Sequence, residues 1–87
     1  MIQGKFVVVN QSGLHLRPAG LLCKEAMKYK SKITICLNNT TANAKSVLSV
    51  LGACVVCGDE IELLCEGEDE TEAFNALKHM FECGLDD

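Results

Sequence analysis

The stretch "GLHLRPAGLLCKEAMK", residues 13–28, decides the fold, because the period of the apolar pattern changes as the chain enters it. Upstream, "IQGKFVVV" (2–9) is rich in β-branched residues and runs into the polar "NQSG" (10–13), which marks a strand and a turn. Within the stretch, Ala19, Leu22, Cys23, Ala26 and Met27 recur at helical spacing, so they share one buried face of a helix expected over residues 16–28. Pro18 suits the first turn of that helix, where its missing N–H is not needed.

Further along, "KITICL" (32–37) sets Ile33, Ile35 and Leu37 against Lys32, Thr34 and Cys36, the alternation of a half-buried strand. Asn38-Asn39 can supply the left-handed turn into a short strand near 40–43, making a hairpin. "KSVLSVLG" (45–52) is a short helix with Ser46 as N-cap and Gly52 as its stop. "EIELLCE" (60–66) is a fourth strand ended by Gly67. The last helix opens with Asp69 and Glu72 at capping-box spacing and carries Ala73, Ala76, Leu77, Met80 and Phe81 on one face before Gly84. Its acidic start, "EGEDETE", complements the helix dipole. The order β-α-β-β-α-β-α predicts an α+β fold, a two-layer open-faced sandwich with a four-stranded, mainly antiparallel sheet and helices on one face.

Eighty-seven residues with 48% hydrophobic content are enough for one core, so residues 1–87 are expected to form a single domain. The net charge of −4, with eight scattered basic residues, argues against a nucleic-acid binder. No apolar run approaches the roughly 18 residues of a membrane span. The N-terminal apolar run is too short for a signal peptide, so the expected compartment is the cytoplasm.

Six cysteines (23, 36, 54, 57, 65 and 83) would suggest a disulfide scaffold in a secreted chain. Without an export signal they read instead as free thiols, with Cys23, Cys36 and Cys65 placed where a small apolar residue would serve. The alternative is a small metal or redox module built on Cys54-Val55-Val56-Cys57. Zinc wants four ligands, and the sequence offers one Cys-x-x-Cys pair without a second pair or a His-x-x-x-His. No metal or other cofactor is therefore expected, and a redox pair would declare itself by losing two thiols together.

His15 falls at the junction of loop and helix, where unsatisfied N–H groups and the dipole favour an anion, and Arg17 adds a permanent charge able to grip phosphate through two hydrogen bonds. A neutral imidazole there can attack phosphorus and later leave as the protonated ring. The same residues equally describe a solvated histidine beside a helix start.

"GLHLRPAG" around His15, "KS" at 45–46 before a short apolar helix, the element order and the length closely resemble the HPr family, the histidine-containing phosphocarriers of the bacterial phosphoenolpyruvate:sugar phosphotransferase system. The resemblance covers essentially the whole chain. It implies a sheet order of 1-4-2-3, with three helices packed on one side. It implies that His15 is phosphorylated on Nδ1, that Arg17 is the phosphate's charge partner and that Ser12 contacts the ring or phosphate. The implied protein is a carrier rather than a self-sufficient enzyme, a monomer that takes phosphate from Enzyme I and passes it to IIA domains of sugar permeases. Ser46 resembles the serine used for regulation in many Gram-positive relatives, which would add an HPr kinase/phosphorylase and catabolite control protein A as partners. A helix N-cap is the structural role equally open to it. Relatives that act only through this serine lack the histidine, which is present here.

Val47, Leu48 and Leu51 cannot all turn inward from so short a helix, so apolar surface is expected near His15, and in the family that surface, with Leu16 and Gly20, docks partners. Val50 and part of Leu51 are expected to finish the core. Two departures stand out. Leu16 replaces a residue that is more often Ala or Thr, and "LGACVVCGDE" (51–60) replaces a loop commonly rich in glycine and containing lysine. Both bear on partner affinity and neither touches the His-Arg pair.

Overall fold

The computed structural model describes residues 1–9, 13–14 and 16–83. Four strands, β1 (Ile2–Val7), β2 (Lys32–Leu37), β3 (Thr40–Asn43) and β4 (Glu60–Glu66), form one antiparallel sheet in the order β1-β4-β2-β3. Three helices, α1 (Leu16–Ala26), α2 (Val47–Gly52) and α3 (Glu70–Glu82), complete the β-α-β-β-α-β-α order and cover one face of the sheet. The expected open-faced sandwich and its strand order are both observed.

Register explains the single covered face. β4 aligns Ile61, Leu63 and Cys65 with Phe6, Gly4 and Ile2 of β1, while Leu63 and Cys65 face Ile35 and Ile33 of β2 on its other side. Because side chains alternate along a strand, all of these residues point the same way. The helices meet them with Ala19, Leu22 and Ala26 from α1, Val50 from α2, and Ala73, Leu77 and Phe81 from α3, all buried. Phe6 stacks on Phe81 with ring centroids 5.8 Å apart and tilts against Phe74 at 5.9 Å, pinning α3 over the β1 edge.

Four sequence expectations are corrected. β1 ends at Val7, because Val8 leaves the ladder to exchange backbone hydrogen bonds with Gly58 and Asp59. α1 ends at Ala26, which leaves Met27 64% exposed in the closing turn instead of on the buried face. α2 runs through Gly52 to a right-handed C-cap at Ala53, and the left-handed residue that turns the chain is Cys54, at φ 56°. Asp69 precedes α3 without a side-chain capping bond, because its carboxylate is taken by Lys30 and Ser31.

Gly67 ends β4 as expected and at φ 153° crosses directly over Ser31, where a Cβ would lie 2.7 Å from the Ser31 Cα. No other residue fits that crossing without moving backbone.

Candidate functional site

His15 and Ser12 lie outside the described residues, and the site is built from the residues on either side of them. Val8 donates its N–H to the Asp59 carbonyl at 2.9 Å and accepts from the Gly58 N–H at 2.8 Å. On the far side, Leu14 is buried and donates its N–H to the Val55 carbonyl at 2.9 Å. Gly13, at φ 65°, lies so close to that carbonyl that a Cβ would sit 2.5 Å from the Val55 oxygen and 2.7 Å from the Val56 Cα. Both flanks of the segment are therefore stitched to the 55–59 stretch.

α1 opens at Leu16 with no acidic residue in its first turn. An N-terminus without carboxylates keeps its positive potential available to an anion. Arg17 is exposed in this turn, while Pro18 and Ala19 are buried and hold it against the core. Apolar side chains are exposed on α1 and α2. Leu16 is 69% exposed and Leu48 82% exposed, Val47 and Leu51 are half-buried against the core, and Gly20 is half-buried with open space where a side chain would project. Val50 is fully buried, as its place in the pattern predicts.

α1 packs on α2, and the Cys23 thiol donates to the Lys45 carbonyl at 2.9 Å, joining α1 to the residue just before Ser46. Ser46 is the N-cap of α2, its hydroxyl accepting from the Ser49 N–H at 3.2 Å. Sequence reading passed over Val9 and Val56, which are 55% and 57% exposed beside the same loop, and the Val55 carbonyl that anchors it. Of these, Val55 and Val56 lay in a stretch the sequence singled out for its cysteines, Cys54-Val55-Val56-Cys57.

Among the described residues, clefts on the sheet include one lined by Lys5, Cys36, Asn38, Glu60, Ile61 and Glu62, one by residues of β2 and β3 together with Lys45, and one by Met1, Leu64 and Glu66 with residues of β2 and β3. None of these is lined by Leu14, Leu16 or Arg17. Among the described residues no group of three or more His, Cys, Asp or Glu side chains gathers around a point, so Cys54 and Cys57 have no third ligand there. No helix among the described residues is long and apolar enough to cross a membrane.

The class defined so far is an open-faced α+β sandwich whose α1 start carries an exposed arginine beside exposed apolar side chains. Residues 2–83 match the family model for the phosphorylation site of the phosphotransferase-system HPr component. Phosphocarrier protein HPr of Treponema pallidum is 39% identical over 75 residues, covering 86% of this chain and 85% of that one. The crystal structure of HPr-C-His from Thermoanaerobacter tengcongensis is similar with a TM-score of 0.96 at 34% identity, covering 100% of this chain and 98% of the other. Crh, the catabolite repression protein of Bacillus subtilis, crystallised as a swapped dimer, is similar with a TM-score of 0.77 at 33% identity, covering 97% of each chain. The chain belongs to the HPr family of phosphotransferase-system phosphocarriers. It is a carrier, not a catalyst acting alone.

Proposed function

We propose that the 87 residues act as one phosphocarrier domain that takes a phosphoryl group from Enzyme I onto His15 and gives it to IIA domains of sugar permeases. The observation that carries this reading is the family match over residues 2–83 with His15-Leu16-Arg17-Pro18 at the opening of α1. A neutral imidazole nitrogen attacks phosphorus, a P–N bond forms as the bond to the donor breaks, and the reverse exchange delivers the group onward. Arg17 supplies a fixed charge for the phosphoryl oxygens as charge shifts, and Ser12 contacts the ring or phosphate. With Leu16 and Arg17 exposed, the site has no use for an enclosed pocket, because each partner brings its own half of the machinery. Leu16, Gly20, Val47, Leu48 and Leu51 form the surface that docks those partners.

Ser46 is read as a regulatory site for an HPr kinase/phosphorylase, with catabolite control protein A as a partner of the modified form. A phosphate on this N-cap would face helix N–H groups, so inhibition would come from a hydrated dianion at the rim of the docking surface. The protein is read as a cytoplasmic bacterial monomer, and sedimentation would separate this from a dimer of the kind described for Crh.

Incubation with phosphoenolpyruvate and Enzyme I should add one acid-labile phosphate, and His15→Ala should abolish it. Label persisting in a folded His15→Ala chain would overturn the assignment. Arg17→Ala should keep the fold and slow transfer. Unchanged rates in both directions would reduce Arg17 to a surface residue.

A further inference from the structure

Cys54 and Cys57 are both exposed, and they bracket the segment on which the His15 loop is anchored. Val55 between them is 3% exposed, and its carbonyl is the acceptor for Leu14. The Cys57 thiol lies 3.9 Å from the Val9 carbonyl, on the other flank of the loop. Cys54 holds a left-handed backbone, which a residue with a Cβ adopts at a cost, and Val56 opens a turn in which its carbonyl accepts from the Asp59 N–H at 3.1 Å. The remaining cysteines are set differently. Cys65 is buried in β4, Cys36 is half-buried in β2, Cys23 is bonded to the Lys45 carbonyl, and Cys83 ends α3 beside His79.

We propose that Cys54 and Cys57 form a dithiol site that a low-molecular-weight disulfide converts to an intramolecular disulfide, and that this conversion draws the Val55 carbonyl away from Leu14. One cysteine thiolate attacks a sulfur of the oxidant, forming a mixed disulfide and releasing one thiol. The second cysteine attacks the protein-bound sulfur, forming the Cys54–Cys57 bond and releasing the second thiol. The protein pair loses two electrons and two protons, and the oxidant gains both. A disulfide needs Cβ atoms within roughly 4.5 Å of each other, so the bond would fix the span of the two-residue bridge, and that bridge is where Leu14 is held. If His15 carries phosphate as proposed above, the oxidised form is a carrier with a displaced active loop. Redox state thereby becomes a second input to a protein already read as regulated at Ser46.

The test treats the full chain with oxidised glutathione and reads three signals. Intact mass and peptide mapping should show a Cys54–Cys57 disulfide, and the Leu14 amide should exchange with solvent about tenfold faster than in the reduced chain, as expected when an anchoring bond opens locally. Dithiothreitol should restore slow exchange, and the Cys54→Ser/Cys57→Ser double variant should not respond. Glutathione retained as a mixed disulfide, or a disulfide with Leu14 exchange unchanged, would overturn the proposal. Phosphate uptake from Enzyme I should slow by about five- to tenfold on oxidation, the scale of one lost hydrogen bond. Equal uptake despite faster Leu14 exchange would remove the regulatory consequence. No uptake by the reduced chain would instead defeat the phosphocarrier reading, leaving the dithiol site to stand on mass and exchange.

Discussion

Asp69 and Ser31 lock the sheet's entry turn to the start of α3. The Asp69 carboxylate accepts from both the Ser31 hydroxyl and the Ser31 N–H, and also from the Lys30 N–H at 2.9 Å. The serine hydroxyl first, then the Lys30 amide, hold this carboxyl below its ordinary value of 3.8. Because the folded value is the lower one, the contribution is complete above the unfolded value and disappears as pH falls through the folded one. Asp69→Ala should lower the urea midpoint at pH 7 and flatten the loss of stability that wild type shows between about pH 5 and pH 3. Parallel curves for the two proteins across that range would show that Asp69 contributes nothing through its charge.

Ser46 separates capping from signalling. Ser46→Ala removes the acceptor for the Ser49 N–H and should cost about 1 kcal/mol. Ser46→Asp keeps an N-cap acceptor and should unfold at or slightly above the wild-type temperature, yet accept phosphate from Enzyme I with a raised apparent KM. Thermal melts and initial rates on the same preparations check both halves.

Leu48 and Val50 are neighbours on α2 with opposite exposures, 82% and 1%. Leu48→Ala should leave stability within about 0.5 kcal/mol of wild type while weakening partner docking. Val50→Ala should cost about 2 kcal/mol with docking unchanged in the protein that remains folded. Chemical denaturation paired with titration of Enzyme I distinguishes them.

The thiols should react in an order set by burial. Exposed Cys54, Cys57 and Cys83 should alkylate first near neutral pH, and Cys36, whose thiol is pushed up first by burial and then by Glu62, more slowly. Burial, with smaller effects from Glu70 and Asp69, pushes Cys65 up to about 11, so it should react only on unfolding. Timed iodoacetamide labelling with peptide mapping gives the order directly.

Much of the architecture was legible because its signals are local. The alternation of Ile33 and Ile35 and the helical spacing of Ala19, Leu22 and Ala26 locate elements without reference to the rest of the chain. What the sequence hid depends on distant partners. Asp69 reads as a cap until Ser31 is seen folding back to it, and Gly52 reads as a stop until Cys54 is seen making the turn. For the site, Leu48 and Leu51 followed from arithmetic on a six-residue helix. The Val55 carbonyl did not, since a backbone acceptor leaves no mark on its own side chain.

The strand order also has a temporal side. β1, first of the four strands in chain order, pairs within the sheet with β4 alone, and β4 lies some fifty residues further along. The β2–β3 hairpin can close by itself, but the N-terminal strand waits until residues 60–66 arrive to bridge it to β2. Pairing of β1 therefore closes a contact between distant parts of the chain, the kind of non-local pairing that slows folding. A fragment ending before β4 would lose its sheet, because a two-stranded hairpin alone is marginal in water.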